Sequence, residues 1–218
     1  MSRLMLLLVL SLQTGCTYHL IVRPELSSRA DAFPGRIEGR HLPPDRMVLG
    51  PYSVNVTANS QPVTYQARMG YMNVSSGGGW QKDFQVASGG EVKNTMRCSY
   101  GGESSVQMFG TQVTASDEPR PMCLLDDQGV QWNGVVDDVT RGITLTAPNG
   151  AMWLVETETC DYREREACAY YLVQNDQTIG GLDVLRGATP TLWVARDVPK
   201  ELQPALVSAL SLAFLLRL

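Results

Sequence analysis

The sequence predicts an all-β domain that ends in one helix, an antiparallel barrel or sandwich packed around or against an apolar C-terminal helix. Two observations lead there. From Met47 onward, short runs of β-branched and aromatic residues are separated by Gly, Asn, Asp and Pro, at a spacing that suits many short antiparallel strands in a sandwich or barrel. The last segment breaks this pattern: Leu202, Leu206, Leu210, Phe214 and Leu218 recur every four residues, and from Ala205 to Leu216 only Ser208 and Ser211 are polar. A helix that is apolar on nearly every side has to be buried.

The strands follow in order. Ser53-Val54-Asn55-Val56-Thr57 alternates cleanly, and residues 63–72 predict another strand. Ser75 to Gly79 reads as a flexible connection into a strand over Trp80 to Ala87. Leu145-Thr146-Ala147 and Met152 to Val155 flank Pro148-Asn149-Gly150, whose Asn-Gly pair favours the positive φ of a tight hairpin turn. Tyr170 to Val173 and Ile179 to Leu185 flank a second turn at Asn175-Asp176-Gln177. Arg186-Gly187-Ala188 then turns the chain into Thr191 to Val194. Asp197 to Gln203 reads as a turn, with the main helix starting at Pro204, where proline is tolerated. The helical end covers about 199–218. From Pro204 to Leu218 the rise is about 22 Å, short of a bilayer span, which favours a protein core.

Ahead of the β domain lies a different kind of sequence. Arg3 gives a short positive start, Leu4 to Leu12 are apolar except Ser11, and Gln13-Thr14-Gly15-Cys16 stands where a cleavage site is expected. This resembles the lipobox of bacterial lipoproteins, with Gln13 replacing the usual leucine. The resemblance implies a signal peptide over 1–15, a lipid (palmitate-type acylation) on Cys16, and attachment to a membrane of the cell envelope. Thr17 after the cysteine, rather than Asp, is similar to lipoproteins sorted to the outer membrane, facing the periplasm. Residues 16–46 read as a lipidated tether: Tyr18 to Val22 suits one short strand, but Pro24, Pro34-Gly35, Gly39 and Pro43-Pro44 interrupt the rest. The β domain is then 47–218.

Composition narrows the function. The formal net charge is -4, and only Lys82, Lys93 and Lys200 among the 18 cations are lysine, so no basic surface attracts nucleic acid. Apart from Cys16 there are four cysteines, Cys98, Cys123, Cys160 and Cys168, an even number that suits disulfides in an oxidising compartment. Three connectivities are open, with the local pairs Cys98–Cys123 and Cys160–Cys168 favoured. No C-x-x-C occurs and no histidine follows His41, so neither a metal nor a cofactor is expected.

No catalytic set is evident. A nucleophile would need His19 or His41, both in or near the tether, as its base. Gly101 to Ser105 reads as a turn, and Gly77 to Lys82 lacks the ending of a phosphate-binding loop. Asp126-Asp127 and Asp137-Asp138 read as solvated turn residues, and the four tryptophans as core. Asn55-Val56-Thr57 and Asn73-Val74-Ser75 match the glycosylation pattern but read as ordinary strand. The ending from Gln174 to Leu218, together with Trp132 to Val136 and the Pro148-Asn149-Gly150 hairpin, resembles the tubby, LURP-one and phospholipid scramblase group, which implies a twelve-stranded barrel closed around a hydrophobic helix over about Met47 to Leu218. The basic phosphoinositide site of tubby members and the cysteine-rich run of scramblases are missing, so the resemblance implies the fold and not those functions. The expectation is a non-enzymatic envelope lipoprotein that binds an envelope protein or lipid. The alternatives are a barrel that holds a lipid or small hydrophobic ligand and, behind it, an envelope hydrolase.

Overall fold

The structure is a computed structural model that describes residues 22–38, 45–60, 64–69, 72–77, 79–100, 104–108, 111–115, 122–137, 142–161, 166–184 and 189–216. Twelve strands close an antiparallel barrel. Around its wall run β1 (Ala30–Glu38), β16 (Thr191–Ala195), β15 (Gln177–Asp183), β14 (Glu166–Gln174), β13 (Met152–Asp161) and β12 (Gly142–Thr146). They continue through β11 (Val130–Asp137), β10 (Met122–Asp127), β7 (Glu91–Tyr100), β6 (Trp80–Ser88), β3 (Tyr52–Ser60) and β2 (Arg46–Leu49), which pairs with β1. The two chain excursions between β3 and β6 and between β7 and β10 join in a second sheet of order β4 (Thr64–Met69), β5 (Met72–Gly77), β8 (Ser104–Met108) and β9 (Thr111–Ala115). Of that sheet only the backbone is described. Ser75 to Gly77, read as part of a connection, is strand, and so is the serine pair at 104–105.

The barrel closes on the helix α2 (Gln203–Leu216). Strand side chains alternate across the wall, and on the inner side Val54, Phe84, Met96, Leu125, Trp153 and Leu172 are at most 1 % exposed. α2 packs against β3, β6, β7 and β10 on one side and β12 to β15 on the other. β6 and β14 face each other across the ring, so the helix lies in the lumen. Burying each leucine this way stabilises the fold by about 1.5–3 kcal/mol. At the helix start the Tyr52 hydroxyl donates to Gln203 Oε1 at 2.7 Å; at its end Lys82 Nζ donates to the Leu215 carbonyl, one of those the helix itself leaves unpaired. Pro204 lies in the first turn, as the sequence predicts.

The tether assignment for residues 16–46 needs correction, because Ala30–Glu38 is a barrel strand. β1 pairs with β16 from Ala30 to Pro34 and with β2 from Gly35 to Glu38. Pro34-Gly35 sits at the handover between the two partners. The missing proline N–H costs little there, and a Cβ on Gly35 would lie 2.5 Å from the Val48 carbonyl oxygen. The Pro-Gly pair that reads as an interruption of the tether lies inside the strand that seals the barrel. The domain therefore begins well before residue 47, with the short helix α1 (Pro24–Ser27), whose Leu26 is fully buried.

Cys98 and Cys123 are register partners on β7 and β10 and form a disulfide with Cα atoms 4.1 Å apart. No tight turn joins these two strands, so the bridge fixes their register and closes the base of the β8–β9 excursion. Cys168 is also disulfide-bonded; the side chain of Cys160 lies outside the described residues.

Gly180 reports on how tightly the lumen is filled. A Cβ there would meet the Leu206 methyls at 2.8 and 2.9 Å, and Leu206 is fully buried. Gly180→Val should cost roughly 1–3 kcal/mol through overpacking. In a Leu206→Ala background the same change should cost less, a coupling measurable by urea unfolding in a double-mutant cycle. Additive costs would mean that the helix does not press on this strand.

Candidate functional site

The lumen holds a small polar group. Asn94 on β7 and Asp127 on β10 are register partners, 2 % and 9 % exposed. Ser208 on α2 donates to Asn94 Oδ1 at 2.6 Å. Asn94 Nδ2, Asp127 Oδ1 and Ser211 Oγ are buried without a hydrogen-bond partner. Burial pushes the Asp127 carboxyl above its ordinary value; the neighbouring Asn94 amide pulls the other way without reaching hydrogen-bond geometry, and the Asp126 charge adds to the rise. The sequence predicts Asp127 as a solvated turn residue; instead it ends β10 facing the core, and the turn lies beyond it at Gln128-Gly129. Asp126 behaves as expected, its carboxylate accepting from Gly129 N at 2.8 Å.

The outer wall carries the larger feature. β10 to β13 place two rows of outward side chains in register: Met122, Val135, Thr144 and Leu154 in one, and Leu124, Asn133, Thr146 and Met152 in the other. None of these eight positions is charged. Met122 is 65 % and Met152 59 % exposed, with Leu124, Val135 and Leu154 at 38–40 %. An uncharged surface that exposes five large apolar side chains inside a charged rim is a candidate interaction site. The rim is Arg97 and Asp126 on one side, and Asp137 and Glu156 on the other. Barrels that span membranes face lipid with apolar side chains and line the lumen with polar ones; here the lumen is mainly apolar, and among the described residues the exposed apolar side chains of the outer wall are concentrated in this sector, with Ile37, Val92 and Val130 standing singly elsewhere. No helix among the described residues is long and apolar enough to cross a membrane.

Beside this face a groove of about 600 Å³ is lined by Arg23, Asp137, Thr144, Leu154, Glu156 and Glu158. The chain ahead of α1 is clamped there. Arg23 Nη2 pairs with Glu156 at 2.7 Å, its Nη1 donates to Thr178 Oγ1 at 3.2 Å, and its guanidinium lies 4.3 Å from the centroid of the Tyr171 ring. Burial, more than the nearby Glu158 charge, pushes the Tyr171 hydroxyl up to about 12, while Arg23 partly offsets the rise. Tyr171 is therefore neutral at physiological pH and serves as a platform.

The predicted site residues are distributed unevenly. Cys98 and Cys123 are brought together as expected; Cys16, His19, His41 and Asp138 lie outside the described residues. Among the described residues no group of three or more His, Cys, Asp or Glu could hold a metal. Trp132 and Trp153 pack at 4.4 Å between centroids in the core. Neither Arg23 nor the apolar face was anticipated. The signal for the face was present in Met122-Cys123-Leu124-Leu125 and Met152-Trp153-Leu154-Val155, runs of four apolar residues that in a strand make both faces apolar. Compared with protein families, curated proteins and solved structures, the chain matches none.

The raised Asp127 value sets a sign. The folded state holds the proton to higher pH than the unfolded chain does, so this residue's effect on stability becomes unfavourable as pH rises from near 3.8 through the elevated folded value. Asp127→Asn should remove that decline and be at least as stable as the parent at pH 7, as read from thermal unfolding between pH 4 and 8. Glu38 and Glu91, held below the ordinary value of 4.5 chiefly by their hydrogen bonds to Arg36 and Lys93, add a slope of opposite sign at the acid end, equal in parent and variant, so it cancels in the comparison. An unchanged pH slope in the variant would contradict the assignment.

Proposed function

We propose that this chain is an envelope lipoprotein, anchored through acylated Cys16, that works by binding through its outer wall and not by catalysis. The observation that carries this reading is the uncharged face on β10 to β13, set beside the point where Arg23 fixes the incoming chain. The barrel interior is given over to α2, so binding belongs outside it. The Cys98–Cys123 bridge supports an oxidising compartment, and a placement at the outer membrane facing the periplasm follows from Thr17. The twelve-stranded wall around a terminal helix supports the likeness to the tubby, LURP-one and scramblase group at the level of fold.

The second reading is a barrel that binds a lipid or small hydrophobic ligand, and a closed β-barrel is compatible with it. The groove, lined by Leu154 and by the charged Arg23, Glu156 and Glu158, favours an amphiphile bound on the outer wall.

Native mass spectrometry of protein extracted gently from its own membranes tests both readings. The parent chain should begin at Cys16 and carry acyl mass, with no second ligand. Cys16→Ser should lack that mass, keep residues 1–15 and leave the anchored form. A parent chain without acyl mass overturns the anchor, and a co-migrating amphiphile favours the second reading.

A further inference from the structure

The outer face on β10 to β13 has a defined relation to the proposed anchor. Leu154 and Glu156 lie on the same outward side of β13, two residues apart, about 7 Å along the strand. Arg23 is held on Glu156. Cys16 precedes Arg23 by seven residues, and a fully extended chain of that length reaches at most roughly 25 Å. An acylated Cys16 in the bilayer therefore keeps the β13 side of the barrel close to the lipid. The opposite wall, at β3, lies across the enclosed helix, about 20 Å further away from two layer spacings of ~10 Å. To turn that wall to the bilayer, the chain would have to be stretched almost taut around the barrel.

We infer that the uncharged face of β10 to β13 is the surface that rests on the lipid bilayer, so that the domain lies against the membrane and is not held away from it. This rests on the lipid-anchor reading and adds an orientation to it. The side chains suit the task. Met122 and Met152 are long, flexible and the most exposed, and they share the face with uncharged Thr144, Thr146 and Asn133. The two arginines beside the face are paired, Arg23 with Glu156 and Arg97 with Asp83, and Asp126 adds negative charge. The attraction is therefore apolar, and anionic lipid adds nothing to it. The far wall at β3 is left to face the aqueous side, where a protein partner would approach.

The test uses the acylated full-length protein in phosphatidylcholine vesicles that contain lipids spin-labelled in the acyl chain. An environment-sensitive fluorophore is placed in turn on Met122→Cys, Leu154→Cys and, on β3 opposite, Asn55→Cys. Labels at 122 and 154 should be quenched several-fold more than the label at 55, and replacing part of the lipid by an anionic one should not increase the difference. Equal quenching at all three positions, with acyl mass present on Cys16, overturns the orientation and leaves the anchor standing. Absence of acyl mass on Cys16 overturns the anchor and the orientation together.

Discussion

The burial of α2 is the constraint on which the rest of the structure depends. A helix with leucine, valine and alanine on every side has no solvent-facing stripe and needs apolar partners all round. A closed barrel supplies them, because every strand contributes one inner row and no edge is left open. The chain delivers this helix last, after the wall strands, and β16 leads into it through a short turn. The enclosed helix also determines where function is located. Some barrels hold a small ligand in their interior; this one fills it with its own helix, and Gly180 gives up its side chain so that Leu206 can reach the wall.

Closure and presentation meet at the start of the domain. β1 joins β16 to β2, completing the ring with a strand whose partners lie at opposite ends of the sequence, and the chain that feeds it is clamped by Arg23 and Leu26 against β13, β14 and β15. The clamp lies next to the uncharged rows of β10 to β13. The segment that would carry an anchor thus enters beside the surface best suited to meet lipid, while the polar remainder of the wall points elsewhere.

Local signals in the sequence carry through to the fold. The apolar repeat from Leu202 located the helix, Pro204 its first turn, and the Asn-Gly and Asn-Asp pairs two hairpins; Gly150, Asn175 and Asp176 do adopt positive φ. Cys98 and Cys123 paired as their spacing suggested. The misreadings share a physical cause, which is that the stabilising partner is remote. Pro34-Gly35 looks like an interruption until Thr191 and Leu49 are placed beside it. Ser75 to Gly77 becomes strand because Ser104 and Ser105 pair with it. Asp127 looks solvated until β7 brings Asn94 opposite and α2 covers both. The apolar face emerges only when four strands stand in register, since no single strand shows more than two of its side chains.

The most direct test of this architecture is native-state hydrogen exchange of the α2 amides. If the helix is the core of a sealed barrel, its central amides, from Val207 to Leu212, should exchange only through global unfolding, with the same free energy as the inner strands β7 and β14. If they exchange through a low-energy opening while the wall stays protected, α2 is a removable plug, the lumen becomes an accessible site, and placing function on the outer wall would be wrong.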